Sequence, residues 1–523
     1  MTNEEVHKNL WRNSISNYVT MALKLVFGLL MFRMLFQNLS KEEFGFWSLL
    51  WSVFGYGILL DFGFGFTAEK RVAELSVHAE WEKLSRVLST IFYTYVILGA
   101  VIVIGVLCFS EPLVRVFHIT GENHGSFRAM LIIFFIGMGI TFPLGIFPEI
   151  LIGQQRIALV NVIFACSIIA NYLGLVAAIH FHLGMKAMVM VGLACSVGPA
   201  AACGIFALHR LPQVKIRPKY FSIGMIRETT QFSLFAYVIT VSNMLLGKSD
   251  QLVLGTTLAV SAIAIYQAGA KIAEMFGIFA QQLPSVFSPV AAHMHAKGDK
   301  VFLRSLLING TRVAVMIATP AYFICAFYME GLLRVLTGAK TLNVETFWIG
   351  QVLLLWCYMS VVTQSVTRRI FVMCGHERRL MWVTVTEAAL NLGLSIGLVL
   401  YYKNVLCVAI GSLISGFVIG WCVLWPWGAR EAQMTGWQLA KTVLIPIWLA
   451  CLPLLAFLVI GRYSPWLDFR TSIWRFATDA AVAGLVAVIG LWKYSLSQNE
   501  REIVLMRLGK IIGKSFVIRT PAL

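Results

Sequence analysis

The chain is poor in charge. Only 13% of its 523 residues are Asp, Glu, Lys or Arg. No polar connection is long enough to fold as a soluble domain, so no catalytic globule and no duplex-binding module stands beside the apolar part. HExxH, phosphate-loop and dinucleotide signatures are missing, and with them the chemistry those spacings serve. The ten cysteines form no CxxC pair, which removes the zinc and redox motifs. They lie almost entirely in apolar stretches and read as small buried hydrophobes. A cleavable signal pattern is also missing, because residues 1–11 are polar and the first apolar run is too long for a signal h-region.

What the chain has instead is apolar length. Hydrophobic residues make up 59% of it and mean hydropathy is +0.78. About 20 apolar residues span the hydrocarbon core as a helix, and a helix satisfies its own backbone in lipid. Fourteen such stretches occur, at 13–37, 44–66, 87–108, 127–148, 157–179, 185–208, 232–256, 261–285, 306–328, 345–366, 380–402, 404–426, 440–461 and 472–494. The expectation is an all-α polytopic membrane protein.

Basic residues orient it. With the N-terminus cytoplasmic, 27 of the 42 lysines and arginines fall in cytoplasmic segments. An even number of spans then returns the C-terminus to the same side. The net charge of +17 is therefore a topology signal and a match to anionic membrane lipids, not a nucleic-acid site.

The two halves of the chain resemble each other. Gly153-Gln154-Gln155-Arg156 precedes span five, and Gly375-His376-Glu377-Arg378 precedes span eleven. Each is followed by a mid-span asparagine, Asn171 or Asn391, and then by Gly192 with Ser196 or Gly411 with Ser415. The asparagine-to-glycine separations are 21 and 20 residues. Six spans repeated in the same orientation imply two lobes related about an axis along the membrane normal, with a substrate path between them. The expected layout is an N-lobe (1–208), a linker with two prolines (209–231), a C-lobe (232–428), two further spans (429–494) and a tail (495–523). In that tail Val504, Leu508, Ile511 and Ile512 alternate with Arg507, Lys510 and Lys514 as a basic amphipathic helix for the inner leaflet.

Charges inside spans are expensive and usually face protein or water. Lys24, Asp61, Lys248, Asp250, Lys271, Glu274, Glu387 and Asp479 are such residues. Asn17 lies seven residues from Lys24, hence on one face with it. Asn243 lies in the same span as Lys248. Glu387 and Asn391 share a face. Two readings stand. In one, Lys24, Lys248 and Lys271, with Asn17 and Asn243, line a cationic cavity for a phosphate-bearing substrate, and Asp61, Asp250, Glu274 and Glu387 balance charge or carry a coupling ion, H+ or Na+. In the other, each lysine is neutralised by a nearby carboxylate, most readily Lys271 by Glu274 three residues on.

Four further patterns carry a resemblance. They are Asp61-Phe62-Gly63-Phe64-Gly65 with Arg71, Asp250-Gln251-Leu252-Val253-Leu254-Gly255 with Ile265-Tyr266, Pro289 with Gly298-Asp299, and Gly153 through Arg156. Over roughly residues 10–430 the chain resembles the polysaccharide-export flippases, the group that contains the O-antigen flippases, of the multidrug/oligosaccharidyl-lipid/polysaccharide (MOP) exporter superfamily. That resemblance implies a two-lobed alternating-access fold in the bacterial cytoplasmic (inner) membrane. It implies a polyprenyl-pyrophosphate-linked oligosaccharide moved from inner to outer leaflet, with no enzymatic step. The pathway's polymerase and glycosyltransferases are implied as partners. The alternative within the superfamily is a cation-coupled multidrug exporter, which would want an acidic cavity rather than mid-span lysines. A membrane-embedded glycosyltransferase or polymerase would want a large outer loop, and the outer connections here are short.

Overall fold

The computed structural model describes residues 3–56, 64–116, 124–222, 224, 234–296, 300–338, 343–463, 473–495 and 501. Asp61 and almost all of the amphipathic tail lie outside them. All the regular structure among the described residues is helical. In chain order the helices are α1 (Asn3–Asn38), α2 (Lys41–Tyr56), α3 (Phe64–Val77), α4 (Trp81–Val116), α5 (His124–Leu144), α6 (Ile146–Gly153), α7 (Ile157–His180) and α8 (Gly184–Arg210). After Pro218–Tyr220, one turn of 3₁₀-helix, come α9 (Leu234–Thr257), α10 (Val260–Ala296), α11 (Lys300–Phe327), α12 (Met329–Thr337) and α13 (Val344–Ser360). A π-helical stretch (Val361–Ser365) joins α13 to α14 (Val366–Met373). Then follow α15 (Glu377–Tyr402), α16 (Leu406–Phe417), a second π-helical stretch (Val418–Leu424), α17 (Trp425–Glu431), α18 (Gly436–Ala450), α19 (Leu452–Tyr463) and α20 (Ile473–Tyr494).

Ten helical stretches among the described residues are long and apolar enough to cross a membrane, by length and composition. Spans two, seven, eight and fourteen of the sequence fall on α2, α9, α10 and α20, with span two described as a helix only to Tyr56. Several helices outrun the apolar runs that announced them. α4 begins at Trp81 and ends at Val116, where hydropathy gave 87–108. The reason is local: Arg86 pairs with Glu82 at 2.7 Å and Arg115 with Glu111 at 3.2 Å, one turn apart, so both polar ends are held helical. On the same helix Ile97, Val101 and Ile104 form an exposed apolar stripe, the pattern of a surface against lipid acyl chains.

By packing, the chain forms two compact units that interleave along the sequence. One holds residues 1–268, 336–346 and 381–415, and the other holds 269–335, 347–380 and 416–523. In lipid, apolar helices gain little by leaving their solvent, so close backbone approach and interhelical hydrogen bonds hold them together. In the first unit α4 crosses α5 at Gly99 and Gly139. A Cβ on Gly99 would lie 2.5 Å from the Gly139 carbonyl oxygen. α3, α4, α6, α7 and α8 close around a core that includes Ala68, Leu84, Leu88, Ile146 and Leu151. The first half of the expected linker belongs to this unit and is strapped along α4. Ser85 accepts from the Lys215 N–H at 3.0 Å, Ser89 from the Arg217 N–H at 3.1 Å, and Thr90 from the Ser222 N–H at 3.2 Å.

In the second unit the last spans pack on α11. Tyr328, Leu454, Leu458, Ala483 and Ala487 form one buried cluster. The Tyr358 hydroxyl joins three helices, sharing a hydrogen bond with Thr319 at 3.0 Å and accepting from the Trp448 indole at 2.8 Å. The two π-helical stretches meet there. Gln364 donates to the Gly416 carbonyl at 3.3 Å, and a Cβ on Gly420 would collide with the Thr363 hydroxyl.

Candidate functional site: charged groups inside the spans

The polar insert Gly247-Lys248-Ser249-Asp250-Gln251 sits inside α9. Two residues of α-helix separate Lys248 from Asp250, which turns them about 200° apart, and the structure uses the two faces differently. Lys248 faces α2. A Cβ on Gly55 would lie 3.8 Å from the Lys248 Cε and from the Met244 Cε, so the lysine stem lies over that glycine. Ser52 of α2 donates to the Lys248 carbonyl at 3.4 Å. Among the described residues no carboxylate pairs with the Lys248 ammonium.

Asp250 is only 8% exposed and accepts a hydrogen bond from the Tyr266 hydroxyl of α10. Its Oδ1 has no partner among the described residues, and nor does Oε1 of buried Gln251. Asp250 is therefore not the counter-ion of Lys248. The sequence patterns at Asp250 and Ile265-Tyr266 turn out to be two ends of one hydrogen bond across the α9–α10 turn. Asn243, two turns before Asp250, is exposed.

On α1, Asn17 is fastened to α7. Asn161 donates to the Asn17 side-chain oxygen and to Ser16 Oγ, the latter at 2.9 Å. Thr20 donates to the Asn161 carbonyl at 3.4 Å. Higher up, Phe27 meets Tyr172 edge-on at 5.3 Å. Lys24 lies between these contacts, is exposed, and pairs with no carboxylate among the described residues.

A third polar locus lies between α15 and α16. Thr384, Glu387, Asn391 and Ser395 recur three or four residues apart and are all buried, Glu387 to 2% exposure. Gly411 lets Ser395 approach so closely that a Cβ there would lie 2.6 Å from its Oγ. Asn391 donates to Ser412 Oγ at 2.8 Å, and Ser412 donates to the Val408 carbonyl at 3.3 Å. The Asn391 Oδ1 is buried with no hydrogen-bond partner among the described residues. Glu387 shares its buried helix face with Asn391, and a buried carboxyl can take up a proton or, with other oxygens, hold a small hard cation. Among the described residues no cluster of His, Cys, Asp and Glu forms a metal site.

Lys271 and Glu274 belong to the second unit and pair at 2.9 Å, as their spacing implied. Glu274 also lines a cavity of about 400 Å³ with Trp356, Cys357 and Arg369. The sequence reading did not single out Trp356 as a cavity residue, or Tyr266 and Ser412 as hydrogen-bond partners. Arg369 was one of the 27 basic residues of the cytoplasmic segments and had no other role there. The signal available for Arg369 was its place three residues past the end of span ten, where the helix runs on to Met373.

Residues 34–345 match the sequence family described as "Polysaccharide biosynthesis protein". No curated protein matches the chain. The fold is similar to that of a lipid II flippase, MurJ, in an inward closed conformation, with a TM-score of 0.70 at 16% identity, covering 96% of this chain and 99% of that one. It is also similar to a multidrug resistance MATE family transporter of the MOP superfamily in an inward-facing conformation, with a TM-score of 0.63 at 16% identity over 83% of this chain and 99% of that one. A third likeness is to a MOP superfamily transporter from Pyrococcus furiosus whose reported pocket has reversed polarity, with a TM-score of 0.57 at 16% identity over 82% and 96%.

Proposed function

The chain belongs to the family of polysaccharide biosynthesis proteins, and on that premise we propose that it is a flippase for a lipid-linked oligosaccharide. It would move a polyprenyl-pyrophosphate-linked glycan from the inner to the outer leaflet of the cytoplasmic membrane, by alternating access, with both termini cytoplasmic. The observation that carries this reading is the state of Lys248. It lies inside a span without a carboxylate partner among the described residues, while the nearest acid in sequence, Asp250, is bonded to Tyr266. An ammonium left uncompensated inside a bilayer is expensive. It is retained where a substrate anion supplies the missing charge, and a pyrophosphate suits ammonium groups as point charges. Lys24 has the same character. Lys271 is the weaker member, because Glu274 neutralises it.

Coupling would run through Glu387 and Asn391. Loading a proton or Na+ beside Asn391 and Ser412 changes the charge of the α15–α16 seam and so biases one conformation over another. The second reading, a cation-coupled drug exporter, draws on that same buried acid.

Deletion of the gene should abolish surface polysaccharide. The wild-type gene should restore it, and a Lys24→Ala/Lys248→Ala double variant present at equal amount in the membrane should not. Full rescue by the double variant would remove the lysines from the substrate path. Unchanged polysaccharide with lowered efflux of a cationic dye would favour the exporter.

A further inference from the structure

The cavity of the second unit is built by two walls. α10 supplies Glu274 and Gln281, seven residues apart and so on one stripe. The α13–α14 helix supplies Trp356, Cys357 and Arg369. Twelve residues of unbroken α-helix would carry Arg369 about a third of a turn away from Cys357. The π-helical stretch Val361–Ser365 lies between them and takes up about one residue of rotation, which returns the pair to one face. Trp356 is held in place by Gly416, where a Cβ would lie 2.5 Å from the indole Nε1.

These walls hold an unusual balance of groups. The Glu274 carboxylate is offset by Lys271 at 2.9 Å. Arg369 pairs with no carboxylate among the described residues. Among the described lining residues one positive charge therefore remains, in a cavity whose other polar groups are an indole, a carboxylate, an amide and a thiol. The volume, about 400 Å³, falls in the range of small-molecule sites.

Resting on the flippase reading, we propose that this cavity is a subsite for one sugar residue that carries a carboxylate, within the glycan head of the substrate. An indole offers a flat apolar surface to the C–H face of a pyranose. Glu274 accepts from ring hydroxyls, and the Gln281 amide both accepts and donates. The guanidinium of Arg369 presents a planar fork that matches a carboxylate bidentately. A sugar presents hydroxyl donors to the Glu274 oxygens, which a compact phosphate monoester dianion, having only acceptors, cannot. The Lys24 and Lys248 ammonium groups are left for the pyrophosphate, so the two ends of one amphiphile would be read by different chemistry.

The test is binding of glucuronosyl-β-1,4-glucose to the full-length protein in lipid nanodiscs, followed by saturation-transfer NMR titration. Cellobiose serves as the neutral control and inorganic pyrophosphate as the competitor. The wild type should bind the acidic disaccharide about tenfold more tightly than cellobiose, a preference supplied by the guanidinium fork. Arg369→Gln should erase that preference, and Arg369→Lys should keep only part of it, because lysine keeps the charge and loses the fork. Trp356→Ala should weaken both sugars about tenfold, as loss of an aromatic anchor does. Pyrophosphate should not displace the disaccharide. No saturable binding by the wild type, an undiminished preference in Arg369→Gln, or equal competition by pyrophosphate would each overturn the subsite. Those failures leave the flippase reading standing as long as deletion still abolishes surface polysaccharide. If polymer reaches the surface without the protein, the flippase reading falls whatever the sugar does.

Discussion

Asp250 and Lys248 show how little separation decides the fate of a buried charge. Two positions apart on α9, they point to different faces: the acid takes a hydroxyl donor, and the base packs its stem over Gly55. Removing the Tyr266 hydroxyl takes from a buried carboxyl its one hydrogen-bond donor among the described residues. Tyr266→Phe should therefore destabilise the protein by about 1–3 kcal/mol, the usual cost of orphaning a buried polar group. The check is the unfolding midpoint of the purified protein in a graded detergent titration. Asp250→Asn keeps an acceptor for the hydroxyl and should cost less. A Tyr266→Phe protein that unfolds with the wild type would show that the bond carries no net stability. At this scale the sequence was informative about which residues are unusual and poor at naming their partners. The Lys271–Glu274 pair was legible because both ends lie on one turn of one helix. The Asp250–Tyr266 and Asn17–Asn161 bonds were not, because each depends on which second helix lies alongside.

Elements were legible where length and hydropathy agree. The long helices fall on the apolar runs, and α4 outruns its run where ion pairs at i and i+4 extend it, whereas α3 and α12 lie in connections that hydropathy did not mark as helical. The π-helical stretches were invisible, since counting spacings assumes 3.6 residues per turn throughout. That is why Arg369 could not be placed on a face with Cys357 in advance. The α15–α16 seam was half legible: Glu387 and Asn391 announce one face, while Ser412 and the Val408 carbonyl come from the packing. The seam carries its own prediction. In proteoliposomes with an imposed cation gradient, Glu387→Gln should lower gradient-driven transport of a lipid-linked oligosaccharide by about tenfold or more. Binding of that substrate should stay near the wild-type level, because a coupling group acts through the conformational equilibrium. Equal loss of binding and transport would make Glu387 a structural member of the seam instead.

For the molecule as a whole, a chain poor in charge and rich in apolar runs builds a multi-pass helical membrane protein. Its family match covers residues 34–345, and its fold is shared with transporters at 16% identity. At that identity the fold persists while side chains are free to change, so the substrate has to be argued from this chain's own groups. Those groups are the ammonium of Lys248, the seam at Glu387, and the cavity between Glu274 and Arg369. None of the three could be weighed from composition alone, because each depends on what does or does not lie beside it.

The most direct measurement is the leaflet accessibility of the lipid-linked oligosaccharide in cells depleted of this protein. The account predicts that the precursor accumulates on the inner leaflet, shielded from a membrane-impermeant glycan-modifying reagent, while polymer disappears from the surface. A precursor that reaches the outer leaflet at the normal rate without the protein would contradict it.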